Sequence, residues 1–325
     1  MKTLSHRFIY LLFVGIVIFV MTFACSQSNY RNATSPYSLP CQVVQHSRGK
    51  ACIPPLPKRI VTLDFNSLAV ALPLNIKPVA TWLTTEIEDD FRYFQDKADE
   101  IEIIRSPTGQ VNLEKLLSLH PDLIIVVSHP IFEGIYKQLT HIAPTIVLPY
   151  AEIQANWKKR FLAAAKTLGK TELAVNVMND YEGRIKSLRK ILSSRKRLLR
   201  TSFAFVASGQ LVVARQESFA GVILNDLGIL NPIFQKSGDP NFLADITISE
   251  ESLGEVDSDI IFISPLRKDD KLLIERLQRK PLWSKLKAVQ NKQVYVVDFS
   301  VWRGNNLLAA YEVLNDIEKY LVSVL

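Results

Sequence analysis

The chain has 325 residues, 48% of them apolar, and a formal charge of +7. That length allows two domains, and that composition sustains a packed core and excludes global disorder. Without Lys2 and Arg7 the remainder keeps about +5, which suits an anionic ligand or lipid surface; no basic-aromatic motif accompanies the charge, so nucleic acid is not expected as a partner.

Residues 1–25 read as a targeting segment: Lys2 and Arg7 form a positive start, "FIYLLFVGIVIFVMTFA" an apolar run, and Cys25 follows Ala24. A Cys directly after a small residue here is the pattern of a bacterial lipoprotein signal, although Thr22 and Phe23 depart from its usual Leu and small residue. Lipidation at Cys25 is the favoured reading, over a plain secretory signal or an uncleaved anchor. Residues 26–40 are polar and Pro-containing, the composition of a flexible tether. Cys41 and Cys52 follow in "CQVVQHSRGKAC". In an exported chain a local disulfide is favoured over two free buried thiols, and a metal site is disfavoured because only His46 lies between them.

From residue 58 strand-like and helix-like runs alternate. "RIVTLD" (59–64), "PVATW" (78–82), "LIIVVS" (123–128) and "TIVLPY" (145–150) are the strands; "NSLAVALPL", "NLEKLLSLH" and "GIYKQLTHIA" have helical spacing. Asn112 and Asp122 punctuate a helix start and a strand start. The alternation predicts crossover units on a mainly parallel sheet. A helix at 156–170 closes at Gly169. A second, 171–194, is expected to start on Thr171 as N-cap and to present Leu173, Val177, Tyr181, Ile185, Leu188 and Leu192 on one face. The basic run at its end, Arg189 to Arg200, reads as a solvated helix terminus. The pattern then restarts: strands at 201–207, 210–214, 259–264 and 294–298, helices at 217–228, 271–278, 281–288 and 307–321. The expected organisation is a signal (1–25), a tether (26–40), a first α/β lobe (41–155), a helical connector (156–200) and a second α/β lobe (201–325).

There is no Gly-x-Ser-x-Gly elbow, phosphate loop, His-Glu-x-x-His or dinucleotide fingerprint. Of five histidines only His129 directly follows a strand, so a three-histidine metal site lacks ligands. In open α/β sheets ligands sit outside the carboxyl ends of strands. Those ends carry Asn66, Trp82, Ser128 with His129, Tyr150, Arg215, Ser264 with Arg267, and Trp302 with Arg303. Arg offers a fixed fork for oxyanions, and Trp and Tyr offer flat amphipathic area. Singly each has a plain alternative: Trp82 and Tyr150 as core, Asn66 and Ser128 as caps, the cations as a solvated rim. Together, on two lobes, they read as a ligand site.

At these residues the chain resembles the substrate-binding proteins of bacterial ABC importers for ferric siderophores, of the ferric-dicitrate and ferric-hydroxamate type. "CQVVQHSRGKACIPPLPKRIVTLDFNS" resembles the family's lead into its first strand, "VNLEKLLSLHPDLIIVVS" the approach to a cleft loop, and "YKQLTHIAPTIVLPY" with "TLGKTELAVNVMNDYEGRIKSLRKIL" the lobe junction and bridging helix. "ESFAGVILNDLGI", "ISEESLGEVDSDIIFIS" and "LWSKLKAVQNKQVYVVD" resemble the second lobe. The resemblance covers about residues 41–323. It implies two Rossmann-like lobes joined by one long rigid helix with the cleft between them (class III), small closure on binding, and no enzymatic activity.

The resemblance also implies an exported, periplasmic monomer, anchored through Cys25, that carries a pre-formed Fe(III) chelate to a two-subunit permease with a cytoplasmic ATPase, without a cofactor of its own. His129, Arg215, Arg267, Trp302 and Arg303 fall at its ligand-contacting loops, Trp302 acting by packing and Arg303 by charge. Relatives usually carry a Glu early in the first helix for permease docking; Ala69 stands there, leaving Asp226 as the second-lobe acid and Glu86 or Glu88 as substitutes. Haem or cobalamin on the same fold, a free-metal binder and an exported hydrolase are the competing readings.

Overall fold

The computed structural model describes residues 41–84, 93–94, 98, 100–106, 109–150, 156–194, 199–207, 210–231, 245–267 and 270–322. The signal, the tether, Cys25, Glu86 and Glu88 lie outside the described residues. Gln42–Leu325 form one compact unit.

An antiparallel hairpin leads in, β1 (Gln42–His46) and β2 (Gly49–Ile53), with Val43 opposite Cys52. Cys41 and Cys52 are joined in a disulfide. The first lobe holds β3 (Ile60–Thr62), α1 (Phe65–Ala71), β4 (Ala80–Thr84), β5 (Glu102–Ser106), α2 (Leu113–Ser118), β6 (Leu123–Val127), α3 (Pro130–Glu133), α4 (Tyr136–Ile142) and β7 (Thr145–Leu148). Its sheet runs β5-β4-β3-β6-β7, all parallel. All residues of β6 and β7 are buried, as crossover helices on both faces require. Asn112 caps α2, its side chain accepting from the Lys115 N–H at 2.9 Å; Asp122 ties the start of β6 to Lys58 and Arg59 through their backbone amides, at 2.7 and 2.9 Å.

Two helices connect the lobes. α5 (Trp157–Thr167) is capped by Asn156 and followed by Gly169 at φ +67°. α6 (Thr171–Ser193) has 23 residues, a rod of about 34 Å. Its buried face is Ala174, Met178, Tyr181, Ile185, Leu188 and Leu192. Leu173 and Val177, expected on that face, are only half-buried: the stripe at the first two turns is centred one residue further on. Lys170, not Thr171, occupies the cap position, with no side-chain cap bond.

The second lobe holds β8 (Thr201–Ala207), β9 (Gln210–Val213), α7 (Phe219–Asp226), β10 (Ile246–Ile248), β11 (Ile260–Pro265), α8 (Lys271–Gln278), α9 (Lys287–Gln290), β12 (Val294–Val296), α10 (Phe299–Trp302) and α11 (Leu307–Ile317). Sheet order is β10-β9-β8-β11-β12. β8, β11 and β12 are parallel, whereas β9 runs antiparallel to β8. The helix expected at 281–288 is instead a 3-10 turn (Trp283–Lys285) and α9, separated by Leu286 in extended conformation. One continuous core joins α5, α6, α7 and α11 to Phe203, Phe205 and Phe262 of the second sheet. The bridging helix is therefore part of the second lobe's interior, and each large side chain buried there contributes about 1.5–3 kcal/mol.

Candidate functional site

Two turns approach each other where the lobes meet. In the first lobe β3 passes directly into α1. Asp64 is its N-cap: Oδ1 accepts from the Ser67 N–H at 2.8 Å, and Oδ2 from the Ser67 hydroxyl at 2.9 Å and the Val127 N–H at 3.2 Å. The carboxylate thus ties the head of α1 to the end of β6. Burial pushes its pKa up, and these donors pull against that shift. Asn66, which the sequence allowed as a cap, lies in the first helical turn. Ser128 accepts from the Tyr150 N–H at 3.1 Å and so fixes the loop after β7.

In the second lobe the chain leaves β12 through the single turn of α10 and reaches Arg303, Gly304, Asn305 and Asn306. Gly304 is obligatory: a Cβ there would lie 2.4 Å from Ala309 Cβ and 2.7 Å from the Ser300 carbonyl oxygen. Asn305 is left-handed at φ 53°. Asn306 caps α11, accepting from the Ala309 N–H at 3.0 Å, and its amide donates to Tyr93 Oη at 2.9 Å across the lobes. Arg160, reaching in from α5, donates to the Asn305 carbonyl at 2.6 Å and lies over the Tyr150 ring at 4.6 Å. Burial lowers its pKa. Asn66, Tyr150, Arg160, Asn305 and Asn306 line one cavity of about 20 Å³, room for a water-sized group.

Arg303 carries the charge of this face. Its Nη1 lies 2.7 Å from Asp245 Oδ2, with a third of the side chain exposed against 5% for the acid, and its guanidinium sits 5.4 Å from the Phe205 ring. The Arg215 backbone amide bonds the same carboxyl, and burial, opposed first by Arg303, raises the pKa of Asp245.

The sequence-predicted residues thus divide. Asn66, Ser128 and Tyr150 come together in one lobe, and Arg303 with Arg215 in the other. Trp302 does not join them. It is fully buried, stacked on Phe262 and Phe203 with centroids 4.3 and 5.1 Å away, and its Nε1–H donates to Asp316 at 2.8 Å. α10 turns this ring down onto the sheet, so Trp302 is core and not a ligand contact. Trp82 is likewise core: β4 runs to Thr84, two residues past the expected end, and leaves Trp82 4% exposed in mid-strand. Ser264 is buried within β11 and bonds the Pro265 carbonyl at 3.2 Å.

His129 is exposed, but its Nδ1 accepts from the Ile131 N–H at 3.3 Å as the cap of α3. Arg267 is exposed beyond β11. It stands at the opposite end of the sheet from Arg215, because β9 is antiparallel: the Leu266 N–H bonds Val206 while the Ala214 N–H bonds Phe203. Asp226 faces Lys158 at 2.8 Å, which also holds Glu182 at 2.5 Å. Ala69, where the resemblance places an acid, is buried and lines the cavity, so that position offers no surface for docking. Arg160, Asp245, Asn305 and Asn306 were not singled out from sequence. The doublet "NN" before an apolar helix is the one signal that could have flagged the last two.

The family of periplasmic binding proteins matches residues 60–301. The chain is 30% identical to the probable siderophore-binding lipoprotein YfiY of Bacillus subtilis, over 97% of this chain and 98% of that one. It is 31% identical to the Fe(3+)-citrate-binding protein YfmC of the same organism, over 93% of each. Among solved structures, Staphylococcus aureus SirA complexed with staphyloferrin B superposes with a TM-score of 0.66 at 25% identity, covering 86% of this chain and 98% of that one. The chain belongs to the periplasmic binding protein family. Its fold is the two-lobed α/β fold of that family, whose members are binding proteins and not enzymes.

Proposed function

We propose that this member of the family is the exported substrate-binding component of an ABC importer, and that it captures a pre-formed Fe(III) chelate of citrate or hydroxamate type. The relatives named for siderophore and Fe(3+)-citrate binding support the ligand class. The observation that carries the reading is the meeting of Asn66, Tyr150 and Arg160 with Asn305 and Asn306 where the lobes adjoin, with Arg303 at the start of the same turn. Amides, a phenol and a guanidinium are groups that hold the outer oxygens of a chelate already wrapped around iron. Among the described residues no cluster of three or more His, Cys, Asp or Glu could hold a bare metal ion, which supports a reading in which the chelate supplies the iron's ligands. Arg303 and Arg215 contribute charge, with Ser128 holding the Tyr150 loop and His129 and Arg267 on outer loops.

The chain is proposed to work as a monomer divided at 41–155, 156–200 and 201–325, held to the membrane by acylated Cys25 and the 26–40 tether. It hands its cargo to a permease coupled to a cytoplasmic ATPase. Asp226 serves as a docking acid only by exchanging Lys158 for a permease cation. A tryptophan-fluorescence titration of residues 26–325, checked by calorimetry, tests the reading. Ferric citrate, ferric schizokinen and ferrichrome are compared with their iron-free forms, haemin and cyanocobalamin. Saturable sub-micromolar binding of a ferric chelate is expected. Saturation by haemin or cyanocobalamin alone overturns the ligand assignment, and no saturation by any of them overturns the reading.

A further inference from the structure

Asp245 directly precedes β10. Ile246 pairs with Val213 in an antiparallel register, which sets Asp245 beside residues 214 and 215. Nothing in local sequence demands an acid there: the position caps no helix and closes no turn among the described residues. Yet its side chain is 5% exposed and lies 2.7 Å from Arg303 Nη1. The Arg215 backbone amide reaches the same carboxyl, and the Arg215 charge acts on it too. One buried carboxylate thus meets the Arg303 guanidinium and the Arg215 backbone amide, and it offsets part of the positive charge that the two arginines bring. Arg303 has five N–H donors in a rigid fork. Asp245 engages Nη1, and about a third of the side chain remains exposed.

We infer that Asp245 sets the charge selectivity of the cleft: it makes the site favour a ferric chelate of low charge over a multiply anionic one. The inference rests on the ferric-chelate reading above. An anionic oxygen bound to the outer edge of Arg303 stands about 7 Å from the Asp245 carboxylate, two guanidinium contacts away. At effective dielectric constants between about 20 and 80, their repulsion weakens binding by roughly 3- to 50-fold for each ligand charge. A neutral chelate feels none of this.

The test is a calorimetric titration of wild type and Asp245→Asn with neutral ferrichrome and multiply anionic ferric citrate, at low and high salt. Asn keeps the size and one acceptor oxygen. The variant is expected to bind ferric citrate at least about threefold tighter, to bind ferrichrome within twofold of wild type, and to show a steeper salt dependence for ferric citrate only. Equal changes for both chelates, or no change in a variant that melts like wild type, overturn the inference. Should Asp245→Asn not fold, Arg303→Gln decides, because it removes the guanidinium that Asp245 touches. Ferric citrate must then lose at least about threefold more affinity than ferrichrome, and equal losses reject the idea. If the wild type binds neither chelate, the ferric-chelate reading itself fails and the inference falls with it.

Discussion

Replacing Trp302 by Phe separates the core from the cleft. Trp302 is fully buried, 4.3 Å from Phe262 and 5.1 Å from Phe203 between ring centroids, and its indole N–H is bonded to Asp316. Phe keeps most of the stacking but removes the donor. Leaving a buried acceptor unpaired costs about 1–3 kcal/mol, and the smaller ring leaves a void beside it. The sum is about 2–3 kcal/mol, or roughly 4–6 °C in Tm for a chain of this size. Ligand affinity should stay within about threefold, because nothing in the cleft is touched. Arg303→Lys should do the reverse. It keeps a cation beside Asp245 and so melts within about 2 °C of wild type, but it loses the fork and weakens chelate binding about tenfold. Differential scanning calorimetry and fluorescence titration on the same preparations read both quantities. If Trp302→Phe weakened binding as much as Arg303→Lys while leaving Tm unchanged, the assignment of Trp302 to the core would be wrong.

Asp316→Asn gives a pH test. Burial raises the Asp316 carboxyl above its ordinary value, and the Trp302 N–H partly offsets this. The folded chain then holds that proton to higher pH than the unfolded chain, so ionisation destabilises it. Urea midpoints of wild type should fall relative to the variant as pH rises from about 4 through the raised folded value, and the difference should be constant below; a wild-type midpoint that rises relative to the variant's over that range contradicts the sign. Lys158→Met should cost about 1–3 kcal/mol in urea denaturation, because Asp226, only a quarter exposed, loses its cation; an unchanged midpoint would show that the pair is solvated. Gly304→Ala should weaken chelate binding at least tenfold, since the clash with Ala309 and Ser300 displaces Asn305 and Asn306. Reducing the Cys41–Cys52 disulfide, which closes a loop of about 12 residues, should lower stability by about 3 kcal/mol, seen as a lower Tm in reductant.

The alternation of parallel strands and helices was legible because strands such as "LIIVV", covered on both faces, read as unbroken apolar runs. The lead-in hairpin was not, since only Val44, His46 and Ile53 of its ten residues are buried. β5 and β10 were also missed. Each is a short edge strand with exposed polar positions.

Reading strand ends singled out Asn66, Ser128 and Tyr150, which the fold brings together, and Arg303, which it sets beside Asp245. It failed where its premise failed. β9 is antiparallel, which parts Arg215 from Arg267, and a helical turn after β12 sends Trp302 inward while Arg303 stays at the surface. Arg160 sat in the run "KKR", which has the look of a solvated helix face. Its burial is produced by the Asn305 turn, 145 residues away. Asp245 has no local signature at all, because its position is set by register with β9 and its contact by Arg303.

The most direct measurement is the iron anomalous signal in crystals grown with the ferric chelate that binds tightest. The expected result is one peak between the lobes, coordinated by chelate oxygens alone, with Arg303, Asn66 and Tyr150 around the chelate. A peak coordinated by a protein side chain, or one lying away from these residues, would contradict the account.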